Sequence, residues 1–64
     1  MDLWQYETLR VTVFDIYGNT HSGIAVVVNS ADDIDSDEDE IVIEEENEHF
    51  FALKKSEILA INTL

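Results

Sequence analysis

Apolar residues recur at every second position in the first part of the chain. Leu9, Val11 and Val13 alternate with polar side chains, which is typical of a β-strand with one buried face. After Val13 the phase reverses, because Phe14 and Ile16 are apolar. This reversal predicts either a β-bulge near Val13 or a strand that is covered on both faces.

A tight hairpin and a second strand are predicted next. Gly18-Asn19 suits a tight hairpin turn, since both residues tolerate positive φ. The segment 22–30 contains the run 24–28, which is continuously apolar and mostly β-branched, as expected of a strand buried on both faces. Gly23 within this segment predicts a sharp bend.

Three further strands are predicted beyond an acidic segment, residues 32–40. Apolar runs mark these strands, and turn residues at Asn47 and at 56–57 separate them. Their predicted bounds are 41–44, 49–54 and 58–64. Ahead of the first strand, Asp2 and Gln5 have the spacing of a capping box, which predicts a short N-terminal helix.

The whole pattern predicts one mainly β domain over residues 1–64, a small five-stranded, strongly bent antiparallel barrel. The chain has no cysteine, so neither a disulfide nor a thiolate metal site can stabilise so small a domain. We expect the core to close around six side chains: Val11, Val13, Val26, Ile43, Leu53 and Ile61.

Acidic residues are concentrated in one part of the chain. Of the fifteen acids, eleven lie between residues 32 and 48, where no Lys or Arg occurs, and the net charge of the chain is −12. Phosphate binding depends on Lys and Arg, so nucleic acids and anionic membranes are disfavoured partners, whereas a cation or a basic protein is compatible. No apolar run is long enough to span a membrane and no signal-peptide pattern opens the chain, so we expect a cytoplasmic location.

Two motifs resemble those of the Sm-like (LSM) family, which is a subset of the SH3-like barrels. The first is Val11-x-Val13 followed by Gly18 and Gly23, and the second is the segment 54–61, in which two isoleucines lie three residues apart. The resemblance covers most of the chain. It implies a barrel whose fourth strand pairs with the fifth strand of a neighbouring subunit to make rings.

The resemblance also shows departures from the family's nucleotide pocket. The pocket positions correspond to Asn29, Asp33, Lys54 and Lys55, and Asp33 replaces the asparagine that contacts a base in RNA-binding members. Lys54 replaces an arginine, and lysine lacks the planar fork that stacks and forms bidentate hydrogen bonds. In the first strand, Asp15 stands where the family has an apolar residue. The resemblance therefore implies the architecture but argues against inherited RNA binding.

The acidic segment suggests a calcium hypothesis. Asp33, Asp35, Asp37 and Glu44 have the spacing of positions 1, 3, 5 and 12 of a calcium loop. However, Glu38 occupies the position where glycine makes the sharp turn, and the flanking segments are predicted as strands rather than helices. A solvated, mobile loop without a bound cation is the favoured interpretation of segment 32–40.

The sequence contains no pattern that indicates catalysis. His21 and His49 lie near predicted turns without a recognisable partner, so we interpret both as exposed turn histidines. No nucleophile elbow surrounds a serine, and two glycines in total cannot form a phosphate-binding loop. We expect a non-enzymatic protein without a cofactor.

The fourth and fifth predicted strands are the least charged part of the chain, which predicts an interaction surface. Phe50, Ala52, Leu59 and Ile61 are expected to form the edges through which the protein makes a homo-oligomer. In the fifth strand, simple alternation places Ile58 and Ala60 on one face. The resulting hypothesis is a non-enzymatic assembly or protein-interaction module. The alternatives are an RNA-binding protein with a degenerate pocket, an acidic decoy for a basic protein, and a calcium-binding loop.

Overall fold

The computed structural model describes residues Met1–Leu64, with the exception of the Asn47 side chain. Five strands and three short 3-10 turns form a molecule of 28 × 21 × 20 Å. The strands are β1 (Arg10–Asp15), β2 (Thr20–Asn29), β3 (Glu40–Glu44), β4 (Phe50–Lys54) and β5 (Ile58–Thr63). The turns are η1 (Leu3–Tyr6), η2 (Glu46–Glu48) and η3 (Lys55–Glu57). The mainly β, five-stranded prediction is confirmed.

The five strands form one antiparallel sheet in the order β4-β3-β2-β1-β5. The predicted closed barrel is wrong, because β4 and β5 remain at the two edges and do not pair within the described chain. A flat five-stranded sheet would hold its outer strands about 19 Å apart. The link from Lys54 to Ile58 can span at most about 14 Å, so the sheet has to curl until its two edges approach each other at η3.

The N-terminal turn covers one side of this curled sheet. The Asp2 Oδ1 accepts a hydrogen bond from the backbone N–H of Trp4 at 3.1 Å, which satisfies one of the free donors of the first turn. Leu3 is buried in the core. The predicted short N-terminal helix is therefore a single 3-10 turn, and its apolar residue covers the core rather than joining a strand.

The core lies on the concave face of the sheet and differs in part from the predicted set. Four of the six predicted side chains are fully buried, Ile61 packs at the margin, and Val26 is 36% exposed. The prediction for Val26 is wrong because the β2–β3 register shifts between Ala25 and Val27. Val26 is the extra residue of a β-bulge, so Ala25 and Val28 point inward instead. The whole core consists of Leu3, Val11, Val13, Ala25, Val28, Ile41, Ile43, Leu53 and Ile58.

A second bulge lies in β5 rather than in β1. Phe14 pairs with Ala60 and Asp15 pairs with Ile58, so Leu59 is the extra residue. The register shift lies between Phe14 and Asp15, close to the predicted position at Val13, but the extra residue is in the partner strand. β1 itself keeps its alternation, with Asp15 inside and Phe14 exposed, so the predicted cover on both faces is wrong. The bulge also corrects the predicted faces of β5, because Ile58 is buried, Ala60 is exposed, and Leu59 is 67% exposed.

Gly23 lies where the backbone of β2 comes close to the end of β3. A Cβ at this position would overlap the carbonyl oxygen of Glu44 and would lie 2.8 Å from its carbonyl carbon. Glycine is required here for the close approach of two backbones; the bend predicted at this residue stays a prediction.

Candidate functional site

A buried ion pair lies at the end of the first hairpin. β1 and β2 pair so that Val13 faces His21, and the backbone N–H of Asp15 donates to Asn19 at 3.0 Å. This register places Asp15 diagonally across from His21, on the inner face of the sheet. Asp15 is 2% exposed and His21 is 6% exposed. The His21 Nε2 lies 2.8 Å from the Asp15 Oδ2.

The hairpin holds the Asp15 carboxylate in place with backbone donors. Its Oδ1 accepts hydrogen bonds from the N–H groups of Tyr17 at 2.9 Å and Asn19 at 2.8 Å. Burial by itself raises the pKa of Asp15, but the hydrogen bond to His21 and those to Asn19 and Tyr17 outweigh it and lower the pKa. The carboxylate is thus ionised at neutral pH. Because an ionised carboxylate only accepts, the Nε2 of His21 carries the proton in this bond.

The opposite edge of the imidazole faces the β3–β4 turn. The His21 ring stacks on Phe51 with a centroid distance of 4.0 Å. Its Nδ1 lies 3.6 Å from the Glu45 Oε1, and the Glu45 side chain is 26% exposed. The separation is longer than a hydrogen bond. Asp15, His21 and Glu45 thus form a carboxylate–imidazole–carboxylate row that runs from the interior to the surface.

An open cleft of about 610 Å³ lies beside the outer end of this row, and Glu45 belongs to its lining. The lining residues are Thr20, Ser22, Glu45, Glu46 and His49. Carboxylates, hydroxyls and an imidazole all present lone pairs, so the cleft suits cations and hydrogen-bond donors. Ser22 is not placed as a nucleophile, because its hydroxyl pairs with that of Thr12 at 3.0 Å.

The pairing of Asp15 with His21 differs from the prediction made for His21. The prediction that His21 is an exposed turn histidine is wrong, whereas His49 is exposed as predicted. The sequence did contain a signal for the burial of Asp15. Strict alternation along the first strand places Asp15 on the same inner face as Val11 and Val13. A charged residue at a core position requires a partner, and the tight hairpin at Gly18-Asn19 brings one across the strand.

The calcium candidates are not brought together. Asp33, Asp35 and Asp37 are exposed in the acidic loop, whereas Glu44 lies at the far end of β3 and pairs with Phe50. Among the side chains that the structure describes, no group of three or more His, Asp or Glu residues converges as metal ligands.

The acidic loop is a series of turns that is tied to the rest of the fold. The Asp39 carboxylate accepts from the backbone N–H of Ala31 at 2.9 Å. Glu38 accepts from both the N–H of Ser56 at 2.5 Å and its hydroxyl at 2.9 Å. The hydrogen bonds from the Ser56 backbone and hydroxyl lower the pKa of Glu38. These bonds fasten the end of the loop to the turn η3.

The residues at the degenerate nucleotide-pocket positions gather at this same end of the sheet. Asn29 pairs with Glu40 across β2–β3, and Glu40 pairs with Lys54 across β3–β4. The Asn29 side-chain amide donates to Glu40 at 3.3 Å, and the Lys55 N–H donates to the Asp39 carbonyl. Asp33 lies in the adjoining loop. A carboxylate thus stands between Asn29 and Lys54, where an anionic ligand would be repelled.

The predicted oligomer residues lie on the two edges of the sheet. Phe50 and Ala52 belong to β4 and Leu59 and Ile61 to β5. Phe50 is 55% exposed, Ala52 is exposed, and Ile61 is partly buried against the core. The structure therefore places these residues on two separate edges of one molecule rather than in one patch.

No helix in the described chain has both the length and the apolar composition that crossing a membrane requires. Comparison of the chain with protein-family models, with curated proteins and with solved structures found no match.

Proposed function

We propose that this protein is a non-enzymatic assembly module in which β4 of one subunit pairs with β5 of the next. The observation that carries this proposal is the presence of two unpaired strand edges on one small sheet. Exposed edges offer rows of N–H and C=O groups to another chain. A 64-residue domain also has little core of its own, so burial against a neighbour would add stability.

The register identifies the backbone groups that are available on β4. Glu45 donates to the His49 carbonyl and Lys55 to the Asp39 carbonyl. In an antiparallel ladder, residue pairs that hydrogen-bond to each other alternate with pairs that do not, so every second residue of a strand turns its N–H and C=O to the other side. The backbone groups of Phe50 and Ala52 therefore point away from β3, toward the open edge.

β5 also has free backbone groups on its outer side. The Leu64 N–H donates to the Arg10 carbonyl, so the alternation directs the backbone groups of Ile61 and Thr63 away from β1. β5 contains no charged side chain, and charged side chains are a common protection of edges. The two edges thus carry complementary rows of donors and acceptors.

The proposed contact is heterologous, because two different edges of the same protein meet. Repetition of a heterologous contact generates a ring if the rotation closes and a filament if it does not. The resemblance to Sm-like proteins supports the ring, since that family assembles through the fourth and fifth strands. Membership of that family is part of the proposal.

The experiment is size-exclusion chromatography with light scattering on the wild type, Ala52→Pro and Ala52→Ser. Proline removes the outward N–H of residue 52 without removing a bond to β3. We expect Ala52→Pro to be a folded monomer by circular dichroism, whereas Ala52→Ser, which keeps the N–H, assembles like the wild type. A monomeric wild type, or a Pro variant that assembles normally, would contradict the proposal.

A complementation test distinguishes a heterologous contact from a symmetric one. Thr63→Pro blocks the β5 edge and leaves the β4 edge intact, and Ala52→Pro does the opposite. Each variant alone is expected to be monomeric, while an equal mixture of the two should yield a dimer that cannot extend. A mixture that stays monomeric would exclude pairing between β4 and β5.

A further inference from the structure

We propose that His21 Nδ1 and Glu45 Oε1 together bind a divalent transition-metal ion of the Zn²⁺ class. This site is separate from the two strand edges and does not rest on the assembly proposed above. It begins from an imidazole that is nine-tenths buried, with only one of its two nitrogens in a hydrogen bond.

The free nitrogen is exposed to solvent at one point. No described residue forms a hydrogen bond with the His21 Nδ1. In the described chain, every side-chain nitrogen or oxygen atom that is fully buried has a hydrogen-bond partner. Nδ1 is therefore not sealed in the core. It faces the Glu45 carboxylate, which lines the open cleft.

The distance between the two atoms suits a shared metal ion. Zinc binds imidazole nitrogen and carboxylate oxygen at about 2.0 to 2.2 Å, so two ligands in a tetrahedral arrangement lie about 3.4 Å apart. The observed separation of Nδ1 and Oε1 is 3.6 Å. An ion between them would need only a small side-chain movement.

Asp15 prepares the imidazole for this role. Metal-binding histidines almost always donate their other N–H to a carboxylate or carbonyl, which sets the tautomer and the ring orientation. The Asp15 Oδ2 lies 2.8 Å from Nε2. Because a carboxylate oxygen accepts the hydrogen bond, the lone pair of a neutral His21 lies on Nδ1. Stacking on Phe51 restrains the ring further.

The chemistry of the donors selects the class of metal. Imidazole suits zinc, copper and nickel, whereas calcium and magnesium prefer sites made entirely of oxygen. With two protein donors, water supplies the remaining positions. Glu46 and His49 line the same cleft, but no three acidic or histidine side chains converge among the described residues. We therefore expect modest affinity.

The test is a titration of the wild-type protein with ZnCl₂ followed by Tm, with light scattering in parallel so that a change in assembly is recognised as such. We expect zinc to raise Tm by about 5 °C and Glu45→Gln to lose most of this shift. The matched control, Asp35→Asn with Asp37→Asn, removes two carboxylates from the acidic loop and should keep the shift. Calcium should give no shift that depends on Glu45.

Nitrogen-15 NMR of the histidine rings tests the ligand directly without a variant that could unfold. Zinc is expected to move the His21 Nδ1 resonance strongly and to leave Nε2 protonated. A Tm shift that Glu45→Gln retains, or that the acidic-loop control loses, would overturn the proposal. So would an unchanged Nδ1 resonance at saturating zinc.

Discussion

The close approach of β2 and β3 at Gly23 makes a sharp prediction about stability. A Cβ at residue 23 would overlap the Glu44 carbonyl oxygen and lie 2.8 Å from its carbonyl carbon and 3.1 Å from the Glu45 Cα. All three atoms belong to the backbone, so no side chain can rotate out of the way. Gly23→Ala therefore has to push the two strands apart.

The cost can be worked out from this geometry. Non-bonded heavy atoms rest about 3.5 to 4.0 Å apart, so the overlap with the carbonyl oxygen requires the strands to separate by well over about 1 Å. Overpacking of this kind costs about 1 to 3 kcal/mol, and each weakened ladder hydrogen bond adds about 1 kcal/mol. We expect a total loss of about 3 to 5 kcal/mol, against a total stability of about 3 to 10 kcal/mol for a domain of this length.

Gly18→Ala is the matched control. Gly18 has a φ of +89°, but a Cβ there would meet no atom within 4 Å. This substitution carries only the backbone strain of about 1 to 2 kcal/mol. Urea unfolding followed by circular dichroism measures both losses. If Gly23→Ala costs no more than Gly18→Ala, the argument that contact between backbones requires glycine at residue 23 is refuted.

Three further predictions concern the core, the loop and acid stability. Leu53→Ala should lower the free energy of unfolding in urea by about 2 to 5 kcal/mol. Val26→Ala should lower it by less than about 1 kcal/mol, because Val26 is a bulge residue. Equal losses would contradict the β2–β3 register. Glu38→Gln and Ser56→Ala should each increase hydrogen exchange across the acidic loop, with little further increase in the double variant. Folding lowers the pKa of Asp15 and of Glu38. Each ionised carboxylate therefore adds to the free energy of unfolding at a pH above its unfolded-state pKa, and this stabilisation is lost as the pH falls through the folded-state pKa. Tm should therefore fall steeply below about pH 4, and less steeply in Asp15→Asn; an unchanged slope would argue against the ion pair.

The site at His21 was only partly predictable. The position of Asp15 in the strand phase and the tight turn at Gly18-Asn19 together contain enough information to pair Asp15 with His21. Glu45 could not have been predicted, because its position depends on how β3 pairs with β2 beyond a bulge. A one-residue register shift reverses which face a side chain occupies, and local sequence does not show where such a shift occurs.

Local sequence determined the five strands, the hairpin at Gly18 and the concentration of negative charge. These features depend on alternation, backbone freedom and composition, which are properties of neighbouring residues. The tertiary structure alone decided that the sheet stays open, that Val26 and Leu59 are bulge residues, and that the acidic loop is fastened to Ser56. Each of these depends on pairings between residues distant in sequence, where one extra residue in a ladder changes the outcome for the whole strand.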